Sequence, residues 1–175
     1  MESMAPNHTY YSACDGAWRG RMVLTIHDGK ALRSALSWMD AWSVYILAYW
    51  PAWLGCFMLH TTVGYEPSGV VRHTTIIRWL GIPLLRSVET LQLHEDGTGL
   101  ELNGQSKSTL TPWRSLPMVG TGSVNASASE ATYECSWLGT TLRQTVQRTE
   151  DTVTLAQQAP GFTSNQTLHR QTPRG

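Results

Sequence analysis

A small set of ionisable residues sits among apolar or aromatic neighbours, where proton chemistry is feasible. Asp40, in SWMDAW, is a lone carboxylate in an aromatic stretch, and desolvation there raises a carboxyl pKa toward the range of a general acid or base. Its plainer role is a solvent-facing helix residue. His60 in MLHTT and His73 in VRHTT occupy similar contexts on neighbouring strands. Turned inward together they would relay protons or hold a metal; otherwise they are ordinary surface or core histidines. Strand alternation puts Arg72 and His73 on opposite faces, so only one of them enters an interior. Glu89 in RSVETLQL shares a face with Leu91 and Leu93 and there needs a partner, for which Arg72, Arg78 and Arg86 are at hand. Tyr133 shares a face with Cys135 and Trp137; it serves either as a hydrogen-bond donor to a ligand or as a core tyrosine. Gln144, Gln157 and Gln166 recur on late strands, as cavity lining or as solvent face.

Louder motifs are missing. The sequence contains no GxSxG, HExxH, P-loop or dinucleotide-binding fingerprint, which argues against the common hydrolase and nucleotide mechanisms. Thirteen basic residues balance thirteen acidic ones without long runs of either sign, so a nucleic-acid partner is not expected. Charged residues make up 15% of the chain while tryptophan occurs 8 times, a balance that favours a pocket, an interface or a membrane. Cys14, Cys56 and Cys135 are odd in number and far apart, so neither a CxxC pair nor a disulfide framework can be drawn. No metal site is expected. The polar and aromatic opening MESMAPNHTYYSACDGAW does not read as a signal peptide, and a reducing cytoplasm is the simplest home. The sequons at Asn7, Asn125 and Asn165 then read as chance.

The elements that position these residues are mostly strands. Arg21 to His27 alternates, with Met22, Leu24 and Ile26 on one face, and stops at Asp28-Gly29. The period then changes: Trp38, Trp42, Tyr45 and Tyr49 recur at helical spacing, which predicts one helix from about Lys30 to Trp50, stopped by Pro51, with an aromatic stripe along it. Within residues 41–59 the chain carries no charge over a length that suits a bilayer span. Pro51 in the middle, interface-type aromatics and the lack of a basic flank disfavour this membrane association. Onward, β-branched runs alternate with breakers at Pro67-Ser68-Gly69, Gly81-Ile82-Pro83, Ser129, Thr149-Glu150-Asp151 and Ala159-Pro160-Gly161. LHEDGTGLEL is the clearest hairpin, because Asp96-Gly97 suits a two-residue primed turn. About nine or ten short strands in meander order close most simply on themselves, since closure removes exposed edges.

The stretch GAWRG, Gly16 to Gly20, resembles the G-x-W signature on the first strand of lipocalin-like (calycin) barrels, and in its fuller form the opening of their nitrobindin-like branch. That resemblance implies that Trp18 plugs the closed end and that an arginine packs across its ring; Arg19, Arg143 and Arg170 are candidates. It also implies haem ligation by a histidine near the C-terminus, where His169 stands, although QTLHRQ lacks the family's PHL context.

The expected fold is mostly β: an antiparallel up-and-down lipocalin-like barrel with one aromatic helical segment near the N-terminus. It forms a single domain over 1–175, with a leader at 1–14, an aromatic lid or insert at 30–55 and a tail at 171–175. The expected function is binding of a hydrophobic small molecule, with Trp38, Trp42, Tyr45, Trp53 and Trp137 as ligand-binding residues and no obligatory cofactor. One alternative is an isomerase or cyclase using Asp40, His60, His73, Glu89 and Tyr133 on a lipophilic polyketide- or terpenoid-like substrate. The other is a haem-binding barrel ligated by His169. A homodimer is left open.

Overall fold

The computed structural model describes residues 5–49, 57–109, 115–137 and 139–172. Ten antiparallel strands form one closed barrel in which each strand pairs with its sequence neighbours and β1 also pairs with β10. They are β1 (Gly16–Ile26), β2 (Phe57–Tyr65), β3 (Val70–Trp79), β4 (Ile82–Leu93), β5 (Gly99–Ser108), β6 (Ser115–Val124), β7 (Glu130–Trp137), β8 (Thr140–Arg148), β9 (Thr152–Ala159) and β10 (Phe162–Arg170). Three helices precede β2: α1 (Pro6–Cys14), α2 (Gly29–Ala35) and α3 (Trp38–Ala48). Alternation drives the closure. Leu59, Thr61 and Val63 of β2 or Leu100 and Leu102 of β5 turn inward and are buried, while their neighbours meet solvent.

The GAWRG stretch works through its backbone as much as through its tryptophan. Gly16 has φ +121°, a conformation that L side chains rarely adopt. A Cβ on Gly20 would lie 1.8 Å from the carbonyl oxygen of Thr167, so β1 and β10 approach closely only because this position has no side chain.

The two ends of the barrel are built differently. At the end where β1 starts and β10 finishes, α1 packs across the opening with Tyr10, Tyr11 and Cys14 buried in the core. Within the stretch 1–14 expected as a leader, Pro6–Cys14 is therefore a helix that covers this end of the barrel, because Tyr10 and Tyr11 bury more apolar surface inside than free chain would. Asn7 is fully buried and donates to the carbonyls of His94 and Gly99 at 3.0 and 3.2 Å, and its own backbone N–H donates to Gly97.

At the other end lie α2 and α3, where one helix over Lys30 to Trp50 was expected. The chain is extended at Leu36, with φ −115° and ψ 154°, and Ser37 caps α3 by accepting from the Asp40 N–H. A serine that offers its side chain to the backbone favours starting a helix over continuing one. The aromatic stripe also faces the other way: Ala41 and Val44 are buried at the mouth, whereas Trp38 and Trp42 are 77% and 63% exposed. Of the apolar run 41–59, residues 41–48 lie in α3 and 57–59 in β2, and among the described residues no helix is long and apolar enough to cross a membrane. Trp53 and Cys56 lie outside the described residues.

Turn chemistry moved as well. The two-residue primed turn falls at Leu80-Gly81, with φ 46° and 86°, so Ile82 and Pro83 already belong to β4. Asp96-Gly97 lies within a longer loop in which only the glycine has positive φ and the Asp96 carboxylate accepts from the N–H groups of Thr98 and Gly99.

Candidate functional site

Inward residues of the strands, with α1 beneath them, enclose a cavity of about 60 Å³ in the half of the lumen nearer the closed end. Most of the wall is apolar, from Val63, Val71, Leu91, Leu102, Val146, Val153, Leu155 and Leu168. Besides the paired hydroxyls of Thr61 and Thr75, polar groups interrupt it on two facing walls, since β3 and β4 stand half-way round the ring from β8 and β9.

On the first wall, His73 of β3 and Glu89 of β4 are register partners whose side chains meet, with Nδ1 3.2 Å from Oε2. Ser87 Oγ donates to Glu89 Oε1 at 2.7 Å, and Ser106 donates to Ser87 in turn. Gly104, opposite Glu89 in register, makes room, because a Cβ there would come within 2.8 Å of Glu89 Cγ. Burial pushes the Glu89 carboxyl up, but the hydrogen bonds and charge of His73 together with the Ser87 hydroxyl outweigh it, and the net shift is downward. The inward glutamate thus has a partner, though it is His73 and none of the three arginines considered for it. Arg72 points outward to Glu66.

On the second wall, glutamines form a ladder across adjacent strands. Gln166 of β10 donates to Gln157 of β9 at 2.9 Å, and Gln157 donates to Gln144 of β8 at 2.8 Å. Gln144 and Gln166, the ends of the ladder, line the cavity. Whichever way the amides point, a chain of this kind leaves a carbonyl free at one end and N–H groups free at the other. Next to it on β7 stands Tyr133, whose hydroxyl bonds that of Tyr11 from α1. Burial raises the pKa of both phenols, so they remain neutral donors. Burial likewise pushes the Cys14 thiol up to about 11.

Below these walls Trp18 forms part of the floor. It is 2% exposed, its Nε1 donates to the Cys14 carbonyl at 2.8 Å, and the Arg170 guanidinium lies 4.4 Å from its ring centroid. Arg170 also donates to the carbonyls of Ala13 and Asp15, joining β10 to the end of α1.

The other sequence candidates lie elsewhere. His60 is on the outer face of β2, between inward Leu59 and Thr61, so it does not pair with His73. Its pKa is lowered by partial burial and by the charges of Arg19 and Arg78. Asp40 is buried at the first turn of α3, accepts from Ser37 Oγ at 2.6 Å and does not border the cavity. Tyr45 ties α3 to α2 by accepting from Arg33 Nη1 at 2.9 Å. Trp137 packs beside Phe162 toward the mouth, beyond the cavity. His169 is exposed on the outer face of β10 beside Thr152. A haem in the lumen ligated by His169 therefore does not fit: the imidazole points away from the cavity, and the cavity is far smaller than a porphyrin. Among the described residues no group of three or more His, Cys, Asp or Glu is placed to hold a metal ion.

The sequence reading missed Ser87, Gly104 and Tyr11. Ser87 carried a usable signal, since it lies two residues before Glu89 and must share its face. Tyr11 carried none, because its helix was read as a leader.

No protein-family model and no curated protein matches the chain. Among solved structures, the crystal structure of Rv2717c from M. tuberculosis matches with a TM-score of 0.63 at 13% identity, covering 97% of this chain and 100% of that one. At that identity the likeness speaks for the fold alone.

Proposed function

We propose that this protein is a lipocalin-like binding barrel that takes up a compact, largely apolar small molecule carrying one hydrogen-bonding group. The observation that carries this reading is the lumen itself: an apolar cavity with polar side chains converging from two facing walls. The stack of Arg170 on Trp18, in a strand that begins with Gly16, supports placement near the nitrobindin-like branch by geometry as well as by motif.

Size narrows the guest. Pockets for drug-sized ligands run to roughly 300–1,000 Å³, so a cavity of about 60 Å³ suits a small ring or short chain better than a polyketide or terpenoid skeleton. The exposed rings of Trp38 and Trp42 take no part in this site.

Ligand-observed NMR with phenol, indole and cyclohexanone tests the reading. Binding with Kd below the millimolar range that is lost in Val146→Phe, which fills the cavity, is the expected result. Binding that ignores Val146→Phe, or no binding by any of the three, overturns it.

A further inference from the structure

The two polar walls differ in a way that binding alone does not require. One is a neutral amide ladder, sufficient to orient a guest. The other places an imidazole on a half-buried carboxylate that lines the lumen and is itself held by Ser87. A carboxylate accepting from Nδ1 fixes the tautomer with the proton on that nitrogen and leaves Nε2 as the basic one. It also stabilises the imidazolium once Nε2 takes a proton. His73 borders the cavity, so this base meets whatever the cavity holds. On the far wall, Gln144 at the end of the ladder and Tyr133 beside it supply N–H and O–H groups that can face a carbonyl oxygen.

We propose that the lumen catalyses proton transfer in compact enolisable carbonyl compounds, with His73 as the base and the Gln144 end of the ladder as the carbonyl-binding group. This rests on the binding reading above. The guest's carbonyl oxygen lies against β7 and β8, and its α-carbon turns toward β3. His73 Nε2 removes the α-proton; the C–H electron pair becomes the new C=C bond while the carbonyl π pair moves onto oxygen. In a β,γ-unsaturated ketone the same nitrogen returns the proton to the γ-carbon, which shifts the double bond into conjugation and restores neutral His73. No oxidant, reductant or second substrate enters the balance. Glu89 is a positioning residue: it touches His73 and not the guest. Besides Glu89, the titratable groups around the site are Tyr133, Tyr11, Tyr10, Cys14 and Cys135, all with pKa values raised by burial and therefore neutral, and the charged Arg148 and Arg170 lie over the Tyr10 and Trp18 rings at its floor.

The β,γ-isomer of cyclohexenone is a suitable probe, with conversion followed by the absorbance of the conjugated product and binding followed separately by NMR. The expected result is acceleration over imidazole buffer at matched concentration, with a loss of about 100-fold or more in His73→Gln, which keeps an amide for Glu89 but has no base. Probe binding should stay within about twofold, since the general-base effect resides in the chemical step. Gln144→Leu should lower kcat more than it raises KM. Glu89→Gln should displace the acid limb of the pH profile, a readout that a merely structural role would not move. If His73→Gln does not fold, His73→Asn takes its place. Binding of the probe without acceleration, or acceleration that survives both His73 variants, overturns the proton-transfer proposal and leaves the binding reading standing. Absence of probe binding, together with no binding of the three ligands above, overturns both.

Discussion

The closed end and the mouth of this barrel are both covered by helices, yet they are held by different forces. At the closed end the contacts are directional and reach the backbone: Asn7 to His94 and Gly99, Tyr10 to Val146, Trp18 to Cys14, and Arg170 to Ala13 and Asp15. At the mouth Leu32, Leu36, Ala41 and Val44 join the core through apolar contact; among the described residues Arg33 bonds Tyr45 and Ser37 bonds Asp40 within the helical pair, and the backbone of His27 and Asp28 ties the start of α2 to Gly161. Apolar contact is non-directional, so a helix held that way shifts at lower cost than one whose side chains satisfy buried carbonyls. The cavity lies against the end with the directional contacts, so its floor is the side that costs more to displace.

That contrast breaks first at Trp18. Trp18→Ala removes a buried ring, its bond to Cys14 and the platform for Arg170, and should cost about 3–5 kcal/mol in urea unfolding. Asn7→Leu removes two side-chain bonds and leaves the His94 and Gly99 carbonyls only their backbone donors, Gly97 and His94; at about 0.5–1.5 kcal/mol per bond it should cost about 1–3 kcal/mol by the same measurement. Acid unfolding sharpens the comparison from within the lumen. The Glu89 carboxyl is held below its ordinary value in the folded state, so its stabilisation is present above the usual glutamate range and disappears as pH falls through the lowered folded value. Glu89→Gln should therefore show a shallower loss of stability on acidification than the parent. At the mouth, Trp38→Ser and Trp42→Ser should change stability by no more than about 0.5 kcal/mol, while removing the tryptophan fluorescence that iodide quenches most readily. Should Trp42→Ser prove as costly as Trp18→Ala, the distinction between the two ends is wrong.

The barrel was legible because strand alternation is local. Met22, Leu24 and Ile26, or Glu89 with Leu91 and Leu93, declare a common face whatever lies across from them, and the structure puts these sets inward. The helical region was less legible because α3 offers two stripes. The large rings make the more obvious one, but the small side chains of Ala41 and Val44 are what fit against the rim. The candidate site was half legible. That Glu89 would face inward and need a partner follows from its own strand; that the partner is His73 depends on the β3–β4 register, which follows in turn from where the turn falls and from the bulge between Ile77 and Arg78.

The sequence by itself determined which residues share a face, between which runs the chain turns, and that a glycine-flanked tryptophan opens the first strand, since these depend on neighbours a few positions apart. Only the tertiary structure decided that α1 is a plug, that His73 meets Glu89 while His60 faces outward, and that a glutamine ladder stands across the lumen from them. Those outcomes rest on which strands come round to meet when the sheet closes, and closure is a property of the whole ring that short stretches of chain do not encode.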